Sequence, residues 1–452
     1  MNKQQRLVIW ISVLASFVAF LDGSVINVAL PAMTRELGGG LTAQQWIVDS
    51  YMITLGSLML IAGSLSDLLG RKRMLRVGLI GFAATSLLCA IAPNSQFLII
   101  ARALQGVFGA VLVPSSLALI ISAFSGAAQG RAIGSWTGWT GIAFIVGPLL
   151  GGLFVDTSSW RLVFAINVIP IVITLILMHY LDQPDPERTE VEIDYKGAVL
   201  GVFGLGGPVY ALIEQSHYGW QSPLIYGPFV VGIILFALFI RHEQRTNNPM
   251  LPLDLFHVRN FTAGNVATFA IYAGLSTATF LIAVFVQQVG GYSATAAGMA
   301  LLPVTFIMML LSSRFGALAG RHGPRLFMTF GPVLAGIGFL LMLRVDSSVA
   351  YWTQLFPGIA LFGFGLSMTV APLTSAVLGS IRPAQAGIGS AVNNAVSRIA
   401  GLVAIAALGL VIGSQVTLAS FHRGIIATAV LCILGGIISY IGIRNAQVVK
   451  PL

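Results

Sequence analysis

Long uninterrupted runs of apolar residues determine what this chain can fold into. The first run, residues 7–30, is far longer than the apolar core of a cleavable signal peptide, which has about 7–15 residues. A helix needs roughly 20 apolar residues to cross the hydrocarbon of a bilayer, and about fourteen such runs follow one another here. Backbone amides in lipid must bond within their own segment, so we predict helices and not strands. The predicted spans are residues 7–30, 45–66, 75–92, 96–123, 132–155, 161–181, 197–213, 222–240, 261–286, 294–314, 326–343, 351–378, 387–412 and 423–442.

The composition and the loop charges agree with a multi-pass membrane protein. Only 9% of the 452 residues are charged, against about 25% in soluble chains. The net charge of +9 arises from Lys and Arg in every second loop, and the opposite loops hold only Arg35, Arg161, Arg344 and Arg423. Because positive loops stay inside, we predict a protein of the cell inner (plasma) membrane with both termini cytoplasmic. The two cysteines lie in apolar runs and indicate neither a disulfide framework nor a metal site.

An internal repeat predicts how the spans are grouped. The loop after the second span resembles the loop after the tenth, and the matched residues are Gly63 with Gly316, Gly70 with Gly323 and Lys72 with Arg325. Repeats of this kind are found in membrane proteins built from two related halves. We therefore predict an N-terminal six-helix bundle at 1–181, a linker with two inserted transmembrane helices at 182–259, and a C-terminal six-helix bundle at 260–452.

Several motifs, in order along nearly the whole chain, resemble one known family. They are Leu21-Asp22-Gly-Ser-Val25-Ile-Asn27-Val-Ala29-Leu30-Pro31 in the first span, the loop at 63–73, Arg102-Ala-Leu-Gln105-Gly106 in the fourth span, Gly141 with Gly147-Pro148-Leu-Leu-Gly151-Gly152 in the fifth, and Gly389 to Arg398 in the thirteenth. The chain resembles the major facilitator superfamily, and within it the fourteen-helix drug:proton antiporters of the EmrB/QacA type. The resemblance implies an all-α integral membrane protein with the major facilitator fold. Leu68 stands where that family commonly has Arg.

Three charged residues within spans are the first candidates for function. A charge at the centre of a membrane helix costs roughly 2.5–3.5 kcal/mol on insertion scales. Asp22, Asp49 and Arg102 lie at similar predicted depths, so we expect them to share one polar site. We predict proton coupling by Asp22 as carrier and by Asp49 as a second proton or cation site, with Arg102 as the counter-ion. The alternatives are that Arg102 only neutralises a structural Asp22, and that Asp49 is a solvated helix end.

The loop motif predicts a cytoplasmic gate. Its members are Gly63, Asp67, Gly70, Arg71, Lys72 and Arg131. We expect Asp67 to pair with a basic group such as Arg131 and so to latch the outward-open state. Gly63 and Gly70 permit close approach and a tight turn. The alternative is that the basic residues only anchor the loop on the inner side.

The fifth span carries what the resemblance implies is an antiporter motif. Gly147 and Gly151 are four residues apart and form a face that lets two helices approach closely. Pro148 removes a backbone hydrogen bond and can bend the helix. We expect a structural role for this motif, which also includes Gly141 and Gly152. The resemblance, and not the spacing, ties it to the direction of transport.

Further polar and aromatic residues within spans are candidate substrate contacts: Trp136, Trp139, Asn393, Asn394 and Arg398. The two tryptophans could stack on an aromatic substrate, although packing is the simpler interpretation. Arg398 could pair across the bundle interface, contact an anionic group, or bond only to backbone carbonyls.

Together these features predict a proton-coupled secondary transporter that exports amphipathic, cationic compounds. The sequence has no Gly-x-x-x-x-Gly-Lys-Ser/Thr loop and no metal-ligand pattern, so we expect no cofactor, no metal and a proton gradient as the energy source. The alternatives are a transporter of one metabolite or lipid and, from another class, a membrane-embedded enzyme or sensor. An enzyme would need a nucleophile–base pair within the spans and a sensor a soluble output domain; neither pattern is found. We expect a monomer that interacts with lipid, protons and small amphipathic substrates, and not with nucleic acid.

Overall fold

The computed structural model describes residues 1–124, 126–182, 194–246, 249–382 and 385–445. Within these residues, helices are the only regular secondary structure, which confirms the all-α prediction. The first six membrane helices are α1 (Lys3–Leu37), α2 (Gly40–Leu69), α3 (Arg71–Ala90), α4 (Ser95–Ala123), α5 in two segments (Gly126–Gly141 and Ala143–Thr157) and α6 in two segments (Leu162–Ala165 and Val168–His179). The inserted pair is α7 (Tyr195–Tyr218) and α8 (Pro223–Glu243), followed by a short 3-10 helix (Leu253–His257). The last six are α9 (Arg259–Gln288), α10 in two segments (Ala294–Ala300 and Leu302–His322), α11 (Pro324–Leu341), α12 (Phe356–Leu378), α13 (Ala386–Ile412) and α14 (Leu418–Gly442).

Each of the predicted spans coincides with one of these helices. In the described part of the chain, 13 helices are long and apolar enough to cross a membrane. Helix α2 is the one outside that set, and its 30 residues extend about 45 Å, which is also sufficient to cross. The prediction of an integral membrane protein with about fourteen transmembrane helices is therefore confirmed.

The chain forms two compact units. The first contains Met1–Leu251 together with Tyr292–Met299, and the second contains Pro252–Gly291 and Ala300–Leu452. The inserted helices α7 and α8 belong to the first unit, where they pack on each other and α7 also packs on α2. The division into bundle, linker and bundle stays a prediction, because most of the polar stretch at 182–196 lies outside the described residues.

The two loops of the internal repeat contain equivalent turns. Gly70 separates α2 from α3 with φ 94°, and Gly323 separates the second segment of α10 from α11 with φ 85°. Both values lie in the region that glycine adopts readily and that other residues rarely adopt. This backbone requirement explains why a glycine stands at the same place in both repeats.

Candidate functional site: a buried ion pair in the first unit

Asp22 of α1 and Arg102 of α4 form a direct ion pair inside the first unit. The Oδ2 atom of Asp22 lies 2.6 Å from Nη1 of Arg102, and the two side chains are 0% and 1% exposed. Close packing of α4 on α2 places the arginine there. A Cβ atom on Gly106, one turn after Arg102, would lie 2.3 Å from the carbonyl oxygen of Tyr51, so only glycine fits at this contact.

Both carboxylate oxygens of Asp22 accept hydrogen bonds. Besides the bond from Arg102 to Oδ2, the side-chain amides of Gln105 and Asn167 each donate to Oδ1 at 3.0 Å. The Gln105 amide also donates to Ser86 Oγ at 2.8 Å, which adds α3 to the network. Four helices therefore contribute to one fully buried polar network, in which the ionised form of Asp22 has the donors it needs.

Arg102 makes further contacts besides the ion pair. Its Nε donates to the backbone carbonyl of Ile47 at 3.1 Å, and Nη1 donates to Oε1 of Gln105 at 2.7 Å. The centre of the guanidinium lies 4.1 Å from the centroid of the Tyr51 ring, within the range of a cation–π contact. This is the arrangement expected of a counter-ion, although the functional role of Arg102 stays a prediction.

Asp49 has a different environment. It is 0% exposed, and neither of its carboxylate oxygens has a hydrogen-bond partner among the described residues. It is therefore not a solvated helix end. It lies on α2 two residues after Ile47, but it does not bond to the Asp22–Arg102 pair. We expected the three residues to share one site. In the structure Asp22 and Arg102 form a bonded pair, and Asp49 lies apart from them on a neighbouring helix, without a hydrogen-bond partner among the described residues.

The glycines of the α5 motif bring α5 against α1 next to this network. A Cβ atom on Gly147 would lie 2.0 Å from Ser24 Oγ, and one on Gly151 would lie 2.6 Å from Val25 Cγ2. The Ser24 hydroxyl also donates to the backbone carbonyl of Ala143 at 2.9 Å. The contact surface on α1 begins two residues after Asp22. The close approach predicted from the spacing of the two glycines is therefore present.

Helix α5 is interrupted ahead of its proline. Pro148 lies within the segment Ala143–Thr157, and the interruption is at Ile142. A proline ring clashes with the carbonyl four residues earlier, so its distortion falls on the preceding turn. Gly141, which borders the interruption, has open space where a Cβ would be. A Cβ on Gly152 would lie 2.4 Å from Thr295 Cα, in the stretch Tyr292–Met299 of the same unit.

Two basic residues of the predicted gate bind backbone carbonyls. Arg71 donates to the carbonyl of Ala118 at 3.2 Å, and the Lys72 ammonium donates to the carbonyl of Leu181. Ala118 lies near the end of α4, and Leu181 follows α6. Basic side chains near the carboxyl end of a helix interact favourably with the carbonyls there.

The rest of the gate stays a prediction. The structure describes neither the surroundings of Gly63 nor the side chain of Asp67, and Arg131 is exposed. The proposed pairing of Asp67 with Arg131 is therefore not tested by the structure.

The two candidate substrate contacts in α5 differ in their surroundings. Trp136 donates from Nε1 to Ser16 Oγ at 3.0 Å and packs against the hydrophobic core of the first unit. Trp139 is 48% exposed, and its ring lies 5.4 Å from that of Trp10. Packing therefore accounts for Trp136, whereas the exposed face of Trp139 has room for a further contact.

The candidate contacts in α13 lie in the second unit. Asn393 donates to Asn265 Oδ1 at 3.1 Å and to Thr268 Oγ1 at 2.9 Å, which connects α13 to α9. Asn394 bonds within its own helix, to the carbonyl of Ser390. Arg398 lies close enough to the partly buried Tyr272 to interact with it electrostatically.

Sequence reasoning missed three members of the network. Gln105 follows Arg102 by three residues, so helix geometry places both on one face, and that spacing could have identified it. Ser86 and Asn167 are polar residues in apolar runs, which is a weaker signal. Asn167 lies between the two segments of α6, at a position that no spacing rule relates to Asp22.

Comparisons with known proteins agree with this architecture. The sequence profile of the Major Facilitator Superfamily matches residues 12–405. The chain is 35% identical to "Multidrug efflux pump LfrA" of Mycolicibacterium smegmatis, over 86% of this chain and 77% of that protein. It is 31% identical to "Methylenomycin A resistance protein" of Bacillus subtilis, over 89% of this chain and 87% of that protein.

A solved structure shows the same fold at low sequence identity. The crystal structure of peptide transporter POT in complex with sulfate superposes with a TM-score of 0.72 at 15% identity, covering 97% of this chain and 94% of that one. At this identity the likeness concerns the fold alone. From the profile, the relatives and the fold, this chain belongs to the major facilitator superfamily and to the multi-pass membrane transporters of its drug and antibiotic resistance branch.

Proposed function

We propose that this chain exports amphipathic, cationic compounds across the cell's inner membrane in exchange for protons, with both termini cytoplasmic. The names of its relatives support drug efflux. The buried charges of the first unit support the coupling to protons: Asp22 and Asp49 are two acids, and the base Arg102 is paired with Asp22. When both acids are ionised, these groups carry a net negative charge that attracts a cation.

The observation that carries this proposal is the contrast between the two acids. Asp22 has three side-chain donors, whereas Asp49 has none among the described residues. An unpaired carboxylate removed from water costs several kcal/mol, and a bound proton or a bound cation removes that cost. Asp49 is therefore proposed to hold the proton in this conformation, while Asp22 remains an anion paired with Arg102.

Coupling follows if each acid binds a proton or a cation, but not both at once. When a cationic substrate binds at Asp49, it displaces the proton from that carboxyl group, and the proton is released. A conformational change that separates Arg102 from Asp22 leaves a second buried carboxylate, which then takes up a proton. Each elementary charge that crosses a membrane potential of 100 mV supplies about 2.3 kcal/mol, so proton entry can drive export against a gradient.

The test is transport of a cationic dye by purified protein in liposomes with an imposed pH gradient. We expect Asp49→Asn to be inserted and folded normally but to lose dye transport driven by the gradient. The amide has the shape of the protonated acid but neither releases a proton nor carries a charge for the dye. Proton-driven transport by Asp49→Asn at the wild-type rate would contradict the proposed role.

A matched control separates this role from a general effect of removing an acid. Asp182 follows α6 in the same unit and is exposed. Asp182→Asn removes one negative charge from a solvated position, and we expect it to transport dye at the wild-type rate. A loss of transport in both variants would point to the net charge of the protein and not to the buried site.

Export of one specific compound is the second candidate. It is favoured by the relative in Bacillus subtilis, whose name refers to a single antibiotic, methylenomycin A. Expression in a pump-deficient host separates the two candidates when growth is measured against a panel of cationic dyes, biocides and antibiotics. Protection against several unrelated cations, abolished by an uncoupler, supports multidrug export. Protection against one compound only supports the narrower function.

A further inference from the structure

A second group of buried acids lies away from the Asp22 network, where α7 begins and α8 ends. Asp194 caps α7: its Oδ1 accepts from the Gly197 amide at 2.8 Å and lies 2.7 Å from Nε2 of His242. Glu243, the last residue of α8, accepts from the Leu251 amide through Oε2 at 2.8 Å. The side chains of Asp194 and Glu243 are only 8% and 3% exposed.

One oxygen of each acid is left without a hydrogen-bond donor among the described residues. Oδ2 of Asp194 and Oε1 of Glu243 are buried, and neither has a donor in the part of the chain that the structure describes. Both lie beside the point where a Cβ on Gly197 would be, at 2.4 and 2.8 Å from it. The two free oxygens therefore border the same small buried space next to Gly197. Two carboxylates this close cannot both remain ionised without a partner between them.

A proton fits between these oxygens better than a metal ion does. Calcium takes six to eight oxygen ligands, and magnesium requires about six in octahedral geometry. Over the described residues, no group of three or more His, Cys, Asp or Glu could hold a metal ion. A proton needs only the two oxygens that are present. We propose that Asp194 and Glu243 share one proton, as a carboxylic acid hydrogen-bonded to a carboxylate, and so form a proton-binding site separate from Asp22 and Asp49.

The shared proton would hold three parts of the chain together. It connects the start of α7 to the end of α8, and through Glu243 it also holds Leu251, where the first stretch of unit 1 ends. This pair of acids, here called the carboxyl clasp (Asp194 and Glu243), lies at the end of the inserted helices that the sequence predicts to be cytoplasmic. Loss of the proton leaves two anions in contact, so the clasp opens as the pH on that side rises.

Among the described residues, one basic group at this site could offset the repulsion. His242 Nε2 lies 2.7 Å from Oδ1 of Asp194, and a protonated imidazole there would stabilise the anionic form of the acids. On α2, which packs against α7, the described side chains at this contact are apolar, Ile61 and Leu65 among them. Three further charged residues described close to the clasp in sequence, Lys196, Arg241 and Arg245, are exposed.

The experiment is hydrogen–deuterium exchange on the full-length protein in nanodiscs. The readout is the protection factor of the peptide containing Leu251, which corrects for the intrinsic effect of pH on amide exchange. In the wild type we expect protection to fall with rising pH, by up to about tenfold per pH unit, as one proton is lost. In Glu243→Gln the amide N–H replaces the shared proton, so protection should persist and should not depend on pH.

A second variant and a control complete the test. Asp194→Asn also supplies an amide donor between the two groups and should likewise remove the pH dependence. Asp254→Asn changes a fully exposed acid three residues after Leu251 and should keep the wild-type profile. Wild-type protection that is the same at every pH would overturn the proposal, as would an unchanged pH dependence in both amide variants. Recovery of protection at high pH on addition of sodium or calcium would assign the site to a cation instead.

Discussion

Replacing Arg102 by methionine tests the buried network most severely. The variant Arg102→Met keeps much of the side-chain volume but removes the one ionic partner that Asp22 has among the described residues. Removing one member of a buried ion pair typically costs 3–5 kcal/mol. Because Gln105 and Asn167 still donate to Asp22, we expect a loss near the lower limit, about 3 kcal/mol.

A buried thiol beside the network provides the assay. Cys89 is free and buried, and its sulfur lies 3.6 Å from Oε1 of Gln105. Its reaction with a fluorogenic maleimide therefore reports opening of this region, once the other buried thiol is removed by Cys432→Ala. A loss of about 3 kcal/mol should raise the labelling rate on the order of 10²-fold.

Two comparisons interpret the result. The double variant Asp22→Asn/Arg102→Met removes both charges, so we expect it to label more slowly than Arg102→Met alone. Arg161→Met breaks an ion pair with Glu36 whose side chains are 33% and 50% exposed, and such pairs contribute at most about 1 kcal/mol, or roughly fivefold in rate. Two results would refute the view that Arg102 neutralises a buried anion. One is that Arg102→Met is labelled at the wild-type rate, and the other is that the double variant is labelled as fast as Arg102→Met.

The remaining predictions concern backbone packing. Gly147→Ala should destabilise the protein by about 1–3 kcal/mol, because the new methyl group would displace Ser24. Gly141→Ala places its methyl group in open space and should change the stability little. Equal thermal midpoints for these two variants would argue against close packing of α5 on α1. Gly70→Ala should lower the stability of the protein by about 1–3 kcal/mol, because φ is 94° at this position. Gly130→Ala lies in open space on a helix and should be neutral or slightly stabilising. Thermal unfolding measures both variants, and equal midpoints would mean that the turn at Gly70 does not require glycine.

The sequence was sufficient to predict the helices and the principal charged residues. Helices follow from hydrophobic length, because a bilayer leaves few other structures available. Asp22 and Arg102 could be identified because charge is rare within such runs. A close helix contact by α5 could be expected from the spacing of Gly147 and Gly151, which is a local property of one helix, whereas the identity of its partner α1 could not.

Contacts between distant side chains could not be predicted in the same way. Asn167 and Ser86 meet Asp22 and Gln105 only because α3 and α6 pack beside α1 and α4. The isolation of Asp49 from that network likewise depends on the rotation of α2, which hydrophobicity does not determine. The carboxyl clasp brings together residues 49 positions apart, and only the antiparallel arrangement of α7 and α8 shows that their ends meet.

Proton release on substrate binding tests most directly whether buried acids couple proton entry to substrate export. A cationic dye is added to the purified protein in weakly buffered detergent solution, and the pH is recorded. The wild type should acidify the solution as the dye displaces a bound proton, and Asp22→Asn/Asp49→Asn should release none while Asp182→Asn behaves as the wild type. Equal proton release by the double variant and the wild type would contradict the account.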